Sequence, residues 1–278
     1  MRIRFFSLTV LVMLCGSTLA RAAVHPTYYL ALGDSLAVGL QPSANGDVAT
    51  NQGYADDLFD VFHLIKPGLT LVKLGCSGET TSTMIYGGMC NYGAEGSQLD
   101  AAVSFLESHK VALVTVDIGA NDVDGCVTVS QLTLDMNCLQ EGFSKVSSNL
   151  PLILATLRSA AGEGTRIVGM NYYDPFLATW ELGPAGQMLA AQSLTAATGF
   201  NSELESIYQV FGIPVADVAK AFRISNSTPI PDLNMPVNVF LTLTWTWMAA
   251  PAPHGPDIHP NAAGYAVIAG AFAKILIP

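Results

Sequence analysis

The sequence predicts an α/β fold: a mostly parallel sheet of five strands with helices on both faces. Short apolar runs alternate with amphipathic segments from Tyr28 onward, the pattern of parallel strands joined by helical crossovers. The two strongest runs, 28–32 and 111–118, are mostly apolar on both alternating faces, as in strands covered on two sides. No stretch of disordered composition and no internal repeat divides the chain, so residues 24–278 are expected to form one domain.

The first strand, Tyr28-Tyr29-Leu30-Ala31-Leu32, stops abruptly at Gly33-Asp34-Ser35. Glycine permits a tight turn there, and aspartate favours a non-helical start to the next element. A hydroxyl at the carboxyl end of a strand sits where open α/β sheets bind ligands, so Ser35 is the first candidate nucleophile. A Gly/Asn/Pro-rich loop over 41–52 precedes a helix over 53–65, whose expected buried stripe is Tyr54, Leu58, Phe59, Val61, Phe62 and Ile65. Pro67-Gly68 ends it, and 69–74 forms the second strand. A glycine- and threonine-rich loop over 75–97 leads to a helix over 98–108 and then to the third strand, 111–118.

The later elements are a helix over 141–161, a fourth strand over 166–172, a long helix over 186–211 and a short fifth strand over 214–217. Residues 223–260 are rich in Pro, Asn, Thr and Trp with little periodicity. Within them 241–248 alternates apolar residues with threonine, and reads either as an apolar wall beside the site or as an edge strand. Asn261, following Pro260, is a candidate N-cap for a closing helix over 261–277.

The first 23 residues stand apart. Arg2 and Arg4 open them, 5–15 is an apolar run too short for a stable bilayer anchor, and Ala20-Arg21-Ala22 has the form of a cleavage site. This is the layout of a signal peptide, so the mature chain is expected to be secreted, extracellular or periplasmic. No mature segment has 18 uninterrupted apolar residues, so no integral membrane segment is expected in it.

Without the leader the chain carries nine basic against 22 acidic residues, a net charge of −13. With no basic cluster, it is a poor partner for nucleic acid or for anionic membranes. Charged residues make up only 12% of the chain and the mean hydropathy is +0.40, which suits a large buried sheet. A monomer is expected. Four cysteines remain, Cys76, Cys90, Cys126 and Cys138, and an even number in an exported chain suggests disulfides. Three connectivities are open, of which local pairing (Cys76 with Cys90, Cys126 with Cys138) is the simplest. No C-x-x-C occurs, which argues against a zinc or redox motif.

In such a sheet the loops after each strand meet at one edge. The polar residues in those loops are Ser35, then Gly75 to Thr80, then Gly119-Ala120-Asn121-Asp122. Just before the last helix comes Asp257-Ile258-His259-Pro260. A hydroxyl that attacks, an imidazole that takes and returns its proton, and fixed donors for an oxyanion are the parts of an acyl-transfer site.

These blocks resemble those of the SGNH, or GDSL, hydrolases. Gly33-Asp34-Ser35-Leu36 is similar to the first block of that family, Ser77-Gly78-Glu79-Thr80 to the second, Gly119-Ala120-Asn121-Asp122 to the third and Asp257-Ile258-His259-Pro260 to the last. Each is short, but the four occur in order across nearly the whole mature chain. The resemblance implies a three-layer flavodoxin-like fold, a shallow open site, and no metal or other cofactor. It implies Ser35 as nucleophile and His259 as general base and acid. The oxyanion hole would come from the Ser35 N–H, the Gly78 N–H and the Asn121 side chain.

The last block departs from the family's pattern. The usual aspartate three residues before the histidine is here Pro256, and Asp257 stands two before. Either Asp257 orients His259 from a shifted loop, or a backbone carbonyl does so and the site runs on a Ser-His dyad. His254 is a rival base without the motif, His63 and His109 read as surface or packing residues, and Asp122 reads as a brace. The G-x-S-x-G elbow is absent around Ser77. Paired locally, the two disulfides would brace the loops that carry the oxyanion donors.

The implied activity is hydrolysis of carboxylic esters, the substrate being a small-molecule or lipid ester with an apolar acyl chain. Carbohydrate O-acetylester cleavage on the same machinery is an alternative. A secreted binding module that lost catalysis is another, against which the joint presence of Ser35, Asn121 and His259 speaks.

Overall fold

The computed structural model describes residues 27–277, so the leader lies outside the described residues. Five parallel strands form the central sheet: β1 (Thr27–Gly33), β2 (Leu69–Lys73), β3 (Val111–Asp117), β4 (Arg166–Met170) and β5 (Val215–Ala216). Their order is β2-β1-β3-β4-β5, the flavodoxin-like arrangement, in which the chain reverses its direction of winding beside β1. β1 pairs with β2 on one side and β3 on the other, Leu30 lying opposite Val72 and Val114 and Gly33 opposite Asp117. The carboxyl end of β1 is therefore the switch-point crevice, and Ser35 follows it by two residues.

The helices are α1 (Ser35–Val38), α2 (Tyr54–Ile65), α3 (Thr81–Tyr86), α4 (Gln98–Ser108), α5 (Met136–Ala160), α6 (Gly183–Val210), α7 (Val218–Ala221), α8 (Val237–Trp245) and α9 (Ala262–Leu276). They cover the sheet in two groups. α2 packs on α9, where the Tyr54 and Phe272 rings stack with centroids 5.0 Å apart, and α5 packs on α3, α4 and α6. Tyr29, Leu30, Leu32, Val114, Val116 and Ile118 are fully buried between them. Covering both faces is what lets β1 and β3 be apolar on both.

Three elements differ from the sequence expectation. On α2, Val61 and Ile65 of the expected buried stripe are exposed. α5 begins at Met136 rather than near 141, because Asp135 caps it, its carboxylate accepting from the N–H groups of Asn137 and Cys138. Residues 237–245 form α8 rather than an edge strand. The threonines that mimic strand alternation turn their hydroxyls back along the helix: Thr244 Oγ1 donates to the Phe240 carbonyl at 2.7 Å and Thr246 Oγ1 to that of Thr242 at 2.6 Å. Such bonds to the preceding turn satisfy the hydroxyls of helical threonine. Asn261 caps α9 as expected, accepting from the N–H groups of Ala263 and Gly264.

Candidate active site

Ser35 is held by a corner in which almost every polar group is paired. Gly33 adopts φ +132°, and a side chain there would strike the Asp117 carbonyl oxygen at 1.8 Å. Only glycine fits. The Gln98 side chain clamps both polar groups of Gly33, accepting from its N–H at 2.7 Å and donating to its carbonyl at 2.9 Å. The Asp34 N–H donates to the Asp117 carbonyl, and the Asp34 carboxylate accepts from the Leu36 N–H at 3.0 Å. Beneath the corner, Asp117 accepts from the Ala37 N–H at 3.1 Å and from the Tyr54 hydroxyl at 2.6 Å.

His259 reaches Ser35 from the far end of the chain. Its Nε2 lies 2.9 Å from Ser35 Oγ, and its Nδ1 lies 2.8 Å from Asp257 Oδ1. The same carboxylate oxygen accepts from the His259 backbone N–H at 2.8 Å, which folds the two-residue spacing into a compact turn. The loop that carries them is fixed through its backbone. Trp247 N–H donates to the His259 carbonyl at 3.0 Å, Asp257 N–H donates to the Trp247 carbonyl at 3.2 Å, and the Tyr173 hydroxyl donates to the Ile258 carbonyl at 2.8 Å.

Asn121 sits in a 3-10 turn after β3 and donates from Nδ2 to the Glu79 carbonyl at 3.0 Å, joining the second and third motif loops. Asp122 ties the same loops by accepting from the Thr81 N–H at 2.8 Å and hydroxyl at 2.9 Å. Gly78 adopts φ +80° in the second loop. That loop is pinned to the nucleophile corner by the Cys76 N–H, which donates to the Gly33 carbonyl at 3.0 Å. The sulfurs join Cys76 to Cys90 and Cys126 to Cys138, the local pairing, so each loop is also closed covalently. Gly33, Gly78 and Asn121 thus share one framework, and Glu79, fully buried, extends it by accepting from Gln98 Nε2 at 3.0 Å.

Ser35, Asn121 and His259 line one cavity, with Asp124, Tyr172, Tyr173, Asp174, Phe176 and Phe200 among its walls. Gly78 and Asp257 are not among the lining residues. The cavity is small, about 80 Å³. His254 takes no part in it: its ring lies near Trp247, 6.3 Å between centroids. His109 stacks on Phe105 and His63 faces the Leu69 carbonyl.

The electrostatics are those of buried acids, and among the lining residues the one basic side chain is His259. Burial pushes Asp34 up to about 6, against its hydrogen bonds with Leu36 and Asp117, and raises Asp117 further because Asp34 lies beside it. Burial also pushes Asp174 up to about 7, opposed by the Ser193 hydroxyl and nearby N–H groups. For His259, burial favours the neutral ring, but the hydrogen bond and charge of Asp257, with Asp34 and Asp47, outweigh it and raise the pKa. Asp257 moves the other way, below its ordinary value: burial opposes this, and its bonds to His259 prevail.

Asp47, Asp257 and His259 have oxygen and nitrogen atoms within 4.8 Å of one another, the one grouping among the described residues with the ligands for a cation. Both ring nitrogens of His259 already face Ser35 and Asp257, so the ring has no free ligand atom. Sequence reasoning missed Gln98, Asp117, Tyr173 and Asp174. Their roles come from partners 19 to 85 residues away in the chain, and no local pattern marks them.

Comparison with known proteins gives a consistent picture. The family model described as GDSL-like Lipase/Acylhydrolase matches residues 31–267. No curated protein matches the chain. Among solved structures, an extracellular lipase from Streptomyces rimosus is similar at TM-score 0.57 and 18% identity, over 88% of this chain and 99% of that one. Phospholipase A1 from Streptomyces albidoflavus is similar at TM-score 0.56 and 20% identity, over 90% and 97%. The acetylxylan esterase Axe2 from Geobacillus stearothermophilus is similar at TM-score 0.52 and 16% identity, over 90% and 94%. At these identities the likeness is one of fold.

Proposed function

The chain belongs to the GDSL-like lipase/acylhydrolase family, whose chemistry is hydrolysis of ester bonds, and from that premise we propose a mechanism through a Ser35 acyl-enzyme. The observation that carries it is the unbroken line from Ser35 Oγ to His259 Nε2 at 2.9 Å and from His259 Nδ1 to Asp257 Oδ1 at 2.8 Å. Ser35 Oγ attacks the ester carbonyl carbon while His259 Nε2 takes its proton. The C–O π electrons move to the carbonyl oxygen, and the Ser35 N–H, the Gly78 N–H and Asn121 Nδ2 stabilise that charge. When the tetrahedral intermediate collapses, the bond to the alcohol oxygen breaks and the imidazolium returns its proton to it. Water then repeats the cycle on the acyl-enzyme and releases the carboxylic acid.

Asp257 holds His259 in the tautomer with the proton on Nδ1 and stabilises the imidazolium. Its placement two residues before the histidine works because one carboxylate oxygen meets both the ring and the backbone N–H of His259. Asn121 is supported by its position on the cavity beside Ser35 and by the second hydrogen left free on Nδ2. Gly78 is supported by its left-handed conformation and by the anchoring of its loop to Gly33.

The preferred substrate is a carboxylic ester with an apolar acyl group, since the cavity walls are largely aromatic and aliphatic. Two disulfides favour an oxidising compartment, and with the signal-like leader they support secretion. No helix among the described residues is long and apolar enough to cross a membrane.

The test is hydrolysis of p-nitrophenyl esters from acetate to palmitate by the mature chain, beside Ser35→Ala. Activity that disappears in the variant is expected. Activity on acetate alone would point to an acetylesterase; folded protein inert across the series would move the reading to carbohydrate O-acetyl or other specialised esters, and inertness on those too would leave the binding module.

A further inference from the structure

The cavity beside Ser35 shares a wall with a second, larger depression. Leu134, Leu139, Phe143 and Ala196, at the junction of α5 and α6, line the small catalytic cavity. The same four side chains line a groove of about 1190 Å³ on the exposed side of the two helices. One set of side chains facing two spaces means that a single layer separates them.

That layer is uneven. Phe143 is its bulkiest member, half-buried, with its ring 5.4 Å from that of Phe200. Ala196 offers only a methyl group. Beyond the layer, α6 presents small residues to the groove, among them Ala191, Thr195 and Gly199. Met136 and Met188 flank the groove at 67% and 63% exposure. Flexible thioether side chains suit an apolar partner of variable shape. Groove residues on α6 run from Met188 to Glu203, which at about 1.5 Å per helical residue makes a trough about 22 Å long. The Ser147 hydroxyl donates to Glu203 at 2.8 Å, so its far end is polar.

We propose that the inner cavity and the outer groove form one acyl passage gated by Phe143, so that the preferred substrates are esters of long-chain fatty acids. The chain leaves Ser35 between α5 and α6 and lies along the groove toward Met188. This assignment rests on the Ser35 acyl-enzyme. The inner cavity holds the first few carbons only, and every further methylene gains from burial along the trough. Acetyl esters use none of it.

The experiment uses Met188→Cys, which puts a reactive thiol at the exposed edge of the groove. Fluorophosphonates carrying either a hexadecyl or an ethyl chain are first reacted with Ser35, and the new thiol is then alkylated with a maleimide. The expected result is that the hexadecyl adduct slows alkylation at least about tenfold, as burial of two or more methylenes over the groove would, while the ethyl adduct does not. Equal alkylation after both adducts would overturn the passage, and would assign the groove to the alcohol half of the substrate or to nothing. Failure of both reagents to modify Ser35 would instead bring down the acyl-enzyme, and modification by the ethyl reagent alone would overturn the passage.

A second variant reads the same passage by kinetics. Ala196→Trp fills the thin part of the layer, and its palmitate-to-butyrate ratio of kcat/KM is expected to fall by at least about tenfold, one decade for each two methylenes excluded. An unchanged ratio in a variant that still takes the ethyl fluorophosphonate would contradict the gate.

Discussion

The nucleophile and its base occupy two differently built regions. The Ser35 corner is the end of a central strand, and its backbone is tied to Gln98, Asp117 and Cys76 while buried beneath the sheet edge. The His259 loop is the stretch 246–261 between α8 and α9, held by backbone bonds through Trp247, by the Tyr173 hydroxyl and by Asn261, whose backbone N–H and Nδ2 donate to the Trp245 and Thr244 carbonyls. A nucleophile can be locked because it needs one position. The base must shuttle a proton between Oγ and the leaving group, and it sits on an irregular loop rather than at the end of a central strand. The corner should therefore resist motion and fail by unfolding, whereas the loop should fail by losing turnover.

The sharpest way to break this contrast is at the reacting atoms. Ser35→Ala is expected to lower kcat by about 10⁶, the scale seen when a hydrolase loses its serine, with the denaturation midpoint unchanged within error. Asp257→Asn should cost about 10⁴ in kcat, since the amide leaves the ring in the wrong tautomer, and again little stability. The pH profile gives a second readout. Because His259 titrates above the ordinary histidine value, the acid limb of kcat/KM should lie above about pH 6.5, and Asp257→Asn should move it down. Near-normal turnover in that variant would make the pair a dyad.

Two smaller effects test the corner. Asn121→Ala should reduce kcat by about 10² to 10³, the loss of one oxyanion donor. Gln98→Ala strands the buried N–H of Gly33, whose carbonyl keeps the Cys76 N–H, and should cost about 2 kcal/mol of stability, read as a shift of the urea midpoint. A Gln98 variant with full stability would mean that the corner is less constrained than its hydrogen bonds indicate.

The mildest effect is on pH-dependent stability. Asp34 and Asp174 bind protons more tightly folded than unfolded, so their contribution is complete below the ordinary carboxylate range. It is lost as pH rises through about 6 and about 7, the values that burial imposes on them. Urea midpoints should therefore be higher at pH 4.5 than these two groups allow at pH 8, and Asp174→Asn should flatten part of that slope.

The two regions were also unequally legible. The Ser35 corner is legible in sequence through company rather than alone: Gly-Asp-Ser after a strand is common turn chemistry, and it gains meaning from the Ser77, Gly119 and Asp257 blocks that follow in order, while the closing helix is signalled by Pro260-Asn261. What supports the corner was invisible, because Gln98 looks like any helix-start residue until its 65-residue return to Gly33 is seen. The approach to His259 was ambiguous at α8: of the two readings of 241–248, the edge strand fails, because threonines that alternate like a strand bond their own preceding turn. The small cavity was likewise hidden, being formed by Tyr172, Phe176, Phe200 and α5 residues that meet only in the folded chain.

The most direct test of the Ser35 mechanism is to acid-quench the protein during steady-state turnover of p-nitrophenyl butyrate and map the trapped acyl group by peptide mass spectrometry. A butyryl group on the peptide that carries Ser35, absent after Ser35→Ala, is the predicted result. Turnover that persists in Ser35→Ala, or an acyl group on Ser77 instead, would contradict it.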